Sequence, residues 1–233
     1  MNICGVKGVS VIDYPGKIAS ILFLGGCNFR CPFCQNASLV DGYKHLDAIS
    51  NETVLKDLRK RKGFIDAVEI TGGEPLINGS ELIALLEKLR EMDLSIKIDT
   101  NGYNTDMLRM VLEMGLVDYI AMDIKTSIDR YAVAAGLELN IDRILESIEA
   151  ICESSVEYEF RTTCVPGLVG TEEIESISRL IEGAAHYYLQ QYRVEETTLD
   201  PAYMKLSPYS AEKLESFKTI ALKYVTSVSI RGL

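Results

Sequence analysis

Apolar residues along this chain follow two rhythms that alternate. Short, nearly continuous apolar runs read as buried strands: "KIASILFLGG" (17–26), "DAVEITGGEP" (66–75), "LSIKIDTNG" (94–102), "LVDYIAMDIK" (116–125), "VEYEFRTTCVPG" (156–167), "HYYLQQYRV" (186–194) and a short "VTSVSIRG" (225–232). Between them lie stretches of helical period: "NETVLKDLRKRKG" (51–63, closed by Gly63), "SELIALLEKLREM" (80–92), "TDMLRMVLEMG" (105–115), "NIDRILESIEAICES" (140–154), "EEIESISRLIEGA" (172–184) and "SAEKLESFKTIALKY" (210–224). In the second of these, Ser80 is the expected N-cap, and Leu82, Ile83, Leu85, Leu86 and Leu89 form the apolar side. Strand-helix alternation implies right-handed parallel crossovers. Six such units make either a partial barrel or an open doubly wound α/β sheet. No repeat, low-complexity tract or linker interrupts them, so residues 1–233 are expected to form a single domain.

The unusual polar groups gather where these strands end. Cysteines follow the first run, "TGGEP" the second, "DTNG" the third, "DIK" the fourth, and "FRTT" closes the fifth. In parallel barrels, function collects on loops at the C-terminal ends of strands. The pattern therefore predicts one shared site.

Composition narrows the partners. The formal charge of −10 argues against nucleic acid held by general electrostatics. The one basic run, "KDLRKRKG" (56–63), sits at a helix C-terminus, where cations complement the helix dipole. No apolar run reaches the ~18 residues that span a bilayer. The N-terminal stretch lacks the charged-then-apolar order of a signal peptide, so the expected location is the cytoplasm, with no membrane partner.

Six cysteines in a reducing compartment are thiols or metal ligands before they are disulfides. Cys4, Cys152 and Cys164 stand singly and read as inert thiols, and neither His45 nor His186 receives a role. Cys27, Cys31 and Cys34 share one loop, "GGCNFRCPFCQN" (25–36). Three inward sulfurs suit an iron–sulfur cluster with one iron left open better than a four-ligand structural zinc site. The scattered remaining cysteines leave no set for a second cluster.

The spacing C-x₃-C-x-Φ-C, here "CNFRCPFC" with Phe33 as the aromatic, together with "GGEP" downstream, resembles the radical S-adenosylmethionine (SAM) superfamily. With "VSVIDYPGK", "DTNG" and "DIK", the likeness from about Ser10 to Arg193 is to the branch that activates glycyl radical enzymes. Within that branch it is to the longer form of the activators of anaerobic ribonucleoside-triphosphate reductase. The resemblance implies a partial (β/α)₆ TIM-like barrel that binds one [4Fe–4S] cluster and SAM. It implies reductive cleavage of SAM to a 5′-deoxyadenosyl radical and removal of hydrogen from a glycine of a partner enzyme. Flavodoxin or ferredoxin would donate the electron.

Position by position, the resemblance makes Cys27, Cys31 and Cys34 the cluster ligands and lays Phe33 along the adenine. It sets Gly72, Gly73, Glu74 and Pro75 at the methionyl amine. Asp99, Thr100 and Asp123 match a monovalent cation site, and Lys125 and Arg161 match groups near the methionyl carboxylate. Asp13 matches an aspartate near the entry of the target glycine loop. Gln35 and "DYPG" depart from the pyruvate formate-lyase activating enzyme, which has histidine and "DGPG" there. The rival readings are a small-molecule enzyme such as a 7-carboxy-7-deazaguanine synthase, a modifier of RNA or peptide, and a non-catalytic iron–sulfur protein.

Overall fold

The structure, a computed structural model, describes residues 1–194 and 197–233. The chain divides into two compact units. The first comprises Met1–Asn28, Ser38–Ile120 and Glu153–Glu157; the second comprises Phe29–Ala37, Ala121–Cys152 and Tyr158–Leu233.

The first unit holds strands β1 (Ile3–Ser10), β2 (Ala19–Leu24), β3 (Ala67–Gly72) and β4 (Ser95–Thr100), neighbours in chain order. β2, β3 and β4 are parallel, with Leu24 beside Gly72 and Ile70 beside Ile98. Each of the strands read from the sequence is present. β1 is an addition: it runs antiparallel to β2 and pairs Val6 with Leu22 and Lys7 with Ile21. Its glycines and lysine give "ICGVKGVS" too little apolar continuity to stand out.

The short α1 (Ala37–Val40) also went unread, whereas α2 (Asn51–Arg61), α3 (Gly79–Arg90) and α4 (Thr105–Glu113) match the helical stretches. Ser50 caps α2 by accepting from the Thr53 amide. Asn104 does the same for Met107 in α4. α3 corrects the expectation for Ser80. A 3₁₀ turn over Pro75–Asn78 runs directly into the helix, so Asn78 holds the cap position and Ser80 lies inside. The apolar side is as read at Leu82, Leu85, Leu86 and Leu89, which are fully buried, while Ile83 is only half-buried.

Successive strand residues face opposite ways. Val68, Ile70, Ile96 and Ile98 fill the core on one face of β3 and β4. Glu69, Thr71, Lys97 and Asp99 therefore share the other.

β5 (Tyr119–Asp123) starts in the first unit, where the Asp118 amide donates to Ile96 O. It ends in the second, where the Ile124 amide donates to Arg161 O. The second unit continues through α5 (Tyr131–Ala135), α6 (Asp142–Glu153), β6 (Glu157–Cys164), α7 (Thr171–Leu180), β7 (His186–Gln191), α8 (Ala211–Ala221) and β8 (Ser227–Arg231). β6, β7 and β8 are parallel neighbours, with Arg161 beside Tyr188 and Gln190 beside Arg231. α7 packs on α8, and Ile174, Ile177, Leu214 and Phe217 are fully buried. Among the described residues, no helix is long and apolar enough to cross a membrane.

Candidate active site at the strand ends

In the first unit, the pairing of Leu24 with Gly72 sets the end of β2 beside the end of β3. The Gly73 amide donates to Leu24 O and the Glu74 amide to Gly26 O, each at 2.8 Å. A Cβ on Gly73 would stand 2.0 Å from Gly26 O, and Gly72 has φ of 120°, so neither position admits a side chain without displacement. The two glycines thus seat the "GGEP" turn directly against the run that leads into Cys27. Pro75 opens the following 3₁₀ turn, where its missing N–H costs nothing.

Glu74 is buried and its carboxylate accepts three protein donors. The Leu76 amide (3.0 Å) and the Thr100 hydroxyl (2.8 Å) reach Oε1, and the Asn101 amide (2.7 Å) reaches Oε2. Thr100 also accepts from the Gly102 amide. One carboxylate so ties the end of β3 to the end of β4. Asn101 extends the tie: its Nδ2 donates to Asn28 Oδ1 at 2.7 Å and stands 3.8 Å from the Cys27 sulfur. The sequence reading missed Asn28 and Asn101 as site residues. Asn101 lay in "DTNG" but looked like ordinary turn chemistry. Asp99, read as a cation ligand, lies against the Lys97 ammonium at 2.8 Å.

The second unit carries the other half of the candidates. The Cys34 amide donates to Cys31 O, closing a tight turn between the two thiols. Phe33 is buried with its ring 6.3 Å from that of Tyr203. The Asp200 amide donates to Pro32 O, and Gln35 Nε2 donates to Arg193 O at 2.7 Å. Arg193, Asp200 and Tyr203 thus hold the cysteine loop at Gln35, Pro32 and Phe33.

Asp123 bridges two cations: Arg161 Nε at 2.7 Å on Oδ1 and Lys125 Nζ at 3.0 Å on Oδ2. β5 stops at Asp123, so Lys125 reaches its partner from just past the strand end. Burial works against the Lys125 charge, yet the neighbouring Asp123 and Cys31 outweigh it and hold its pKa raised. Burial pushes the Cys31 thiol up to about 11, with Lys125 pulling the other way.

These groups fit the cofactors that the loop suggests. All six cysteines are thiols rather than disulfides. Soft thiolates are the donors an iron–sulfur cluster takes. An amide N–H stands beside the Cys27 sulfur, and the Lys125 charge opposes the burial that raises the Cys31 thiol, surroundings that suit sulfur ligands of a metal.

Comparison with known proteins gives the family. Residues 21–181 match the radical SAM superfamily. A protein of Methanocaldococcus jannaschii that carries the provisional name glycyl-radical enzyme activating enzyme is 31% identical over 99% of this chain and 96% of its own length. The pyruvate formate-lyase-activating enzyme of Clostridium pasteurianum is 30% identical over 78% of this chain and 76% of its own. The 7-carboxy-7-deazaguanine synthase of Thermococcus kodakarensis is 27% identical over 75% and 74%. Among solved structures, Streptococcus suis SuiB bound to the precursor peptide SuiA superposes with a TM-score of 0.68 at 17% identity. That match covers 91% of this chain and 48% of the SuiB chain, a likeness of fold alone. The expected α/β fold, partly barrel-like and mostly parallel, is that of these enzymes. The chain belongs to the radical SAM superfamily, enzymes of oxidoreductase type that use a [4Fe–4S] cluster and SAM, and it is homologous to the glycyl-radical enzyme activating enzymes.

Proposed function

We propose that this protein is a cytoplasmic activating enzyme that removes a hydrogen atom from a glycine Cα of a glycyl radical enzyme. The observation that carries the reading is the near full-length likeness to the Methanocaldococcus protein, supported by the further likeness to a pyruvate formate-lyase-activating enzyme. Anaerobic ribonucleoside-triphosphate reductase is the partner we favour, and a flavodoxin or ferredoxin the electron donor. Cys27, Cys31 and Cys34 would hold the cluster, which when bound supplies the single electron that breaks the sulfonium bond of SAM.

The chain's own residues do the binding and positioning. Lys125 and Arg161 are two cations sharing one carboxylate, an arrangement that leaves net positive charge for the methionyl carboxylate. The main chain at Gly72 and Gly73 would meet the methionyl amine, while Pro75 and the Glu74 side chain, with its three donors, hold that turn in place. Phe33, backed by Tyr203, would lie along the adenine. Asp99, Thr100 and Asp123 remain our candidates for a monovalent cation. Asp13 would meet the incoming glycine loop.

The deazaguanine synthase likeness supports one rival, a small-molecule radical SAM enzyme. The test is anaerobic: reduced, cluster-loaded protein is mixed with SAM and the reductase from the same genome. A glycyl doublet in electron paramagnetic resonance is expected. SAM cleavage with no doublet, together with turnover of a pterin without any protein partner, would transfer the assignment to the rival.

A further inference from the structure

Two ionisable side chains in the first unit, Glu69 and Lys97, have no task in the site described above, and Asp99 lies beside them. Glu69 on β3 and Lys97 and Asp99 on β4 share one strand face, and Lys97 is 1% exposed. Its ammonium donates to Glu69 Oε1 at 3.0 Å and to the main-chain carbonyl of Asp13 at 2.7 Å, and it is ion-paired with Asp99 Oδ1 at 2.8 Å. Replacing a buried ion pair by apolar residues is often neutral or stabilising, so fold stability alone gives no reason for the group. The Asp13 carbonyl does. It lies 84 residues away from Lys97 in sequence, in the loop that joins β1 to β2.

That loop is held at its base and open at its tip. The Asp13 carboxylate receives Lys7 Nζ at 3.1 Å and the Ser10 hydroxyl. Tyr14 is buried, its ring 5.6 Å from that of Tyr119. Between these anchors, Val11 and Ile12 are 69% and 79% exposed. Lys7 and Ser10 hold the side chain of Asp13, and Lys97 holds its backbone.

We propose that Lys97, itself held by Glu69 and Asp99, is a positioning residue that fixes the backbone of the Asp13 loop for engagement of the protein substrate. The inference rests on the activating-enzyme reading, in which Asp13 meets the incoming glycine loop. Fixing a loop in its bound form lowers the ordering cost of association, so losing the anchor acts on partner saturation rather than on the chemical step.

The test compares wild type with Lys97→Met, using hydrogen exchange followed by mass spectrometry and a titration of the partner enzyme. In the variant, amides of residues 11–17 should exchange at least tenfold faster while α4 is unchanged. The half-saturating partner concentration should rise at least tenfold with the saturated rate within threefold. Unchanged exchange at 11–17 overturns the proposal, and so does faster exchange with no change in partner saturation. A fall in the saturated rate alone would also overturn it. If Lys97→Met does not fold, the double variant Glu69→Leu with Lys97→Met removes both buried polar groups together and is read in the same way. If the wild type gives no glycyl radical on any partner, the activating-enzyme reading has failed by itself. The exchange experiment then still decides whether Lys97 holds the loop.

Discussion

The two units place acids on their strands in opposite surroundings. In the first, Glu69 and Asp99 share a single lysine, and Glu74 is closed off by three protein donors. In the second, Asp123 is shared by two cations, and its side chain keeps 29% of its surface exposed. The first arrangement is acid-rich, buried and inward-looking, and serves to hold loops. The second is cation-rich and partly open, and suits an anionic group of a cofactor. Similar strand-end motifs in sequence thus carry different work, and the balance of charge and burial decides which.

The largest effect expected from this contrast is on stability. Glu74→Ala strips the Leu76 and Asn101 amides of their buried acceptor. At roughly 1–3 kcal/mol for each unsatisfied group, a loss of about 3 kcal/mol should appear in urea unfolding. A loss below about 1 kcal/mol would show that Glu74 is not the clamp described.

Next comes a dependence on pH. Burial foremost, then the Asp99 charge, pushes the Glu69 carboxyl up to about 9 against the pull of Lys97. The folded protein therefore binds a proton that the unfolded chain has released above its ordinary carboxyl value near 4.5. This contribution is complete below that value and is lost as pH rises towards 9. As pH rises from 7 towards 9 stability should fall by roughly 1 kcal/mol per pH unit from this group, levelling off near 9, a slope that Glu69→Gln should flatten. Urea midpoints at pH 7, 8 and 9 read it directly, and identical slopes in both proteins would contradict the assignment.

The smallest effect belongs to the second unit. Lys125→Gln removes a charge that burial opposes and leaves Asp123 paired with Arg161, so stability should change by only about 1 kcal/mol. SAM affinity should instead weaken about tenfold, or ~1.4 kcal/mol, by isothermal titration. Unchanged affinity alongside a large loss of stability would erase the distinction between the units.

Much of this was legible in the sequence, for physical reasons. The parallel strands announce themselves because burial on both faces makes them continuously apolar. "ILFLGG" and "DYIAMD" could hardly be otherwise. β1 escaped because an antiparallel strand of intermediate exposure, "ICGVKGVS", carries no such run. The start of α3 shifted because a 3₁₀ turn, not a capping serine, launches it. The cysteine loop was legible from spacing alone. Lys97 was not: a charged residue inside a strand reads as a solvent-facing position until the fold brings Glu69 and Asp13 to it. Asn101 was hidden for a similar reason, since turn chemistry explains it locally and its contact with Cys27 arises only in three dimensions.

The central claim is that this enzyme takes hydrogen from a glycine of a protein. It is tested most directly by mixing the reduced, cluster-loaded protein and SAM with a partner enzyme grown on glycine deuterated at Cα. The account predicts one deuterium in the 5′-deoxyadenosine formed, appearing together with the glycyl radical signal. Unlabelled 5′-deoxyadenosine, formed at the same rate with and without the partner, would contradict it.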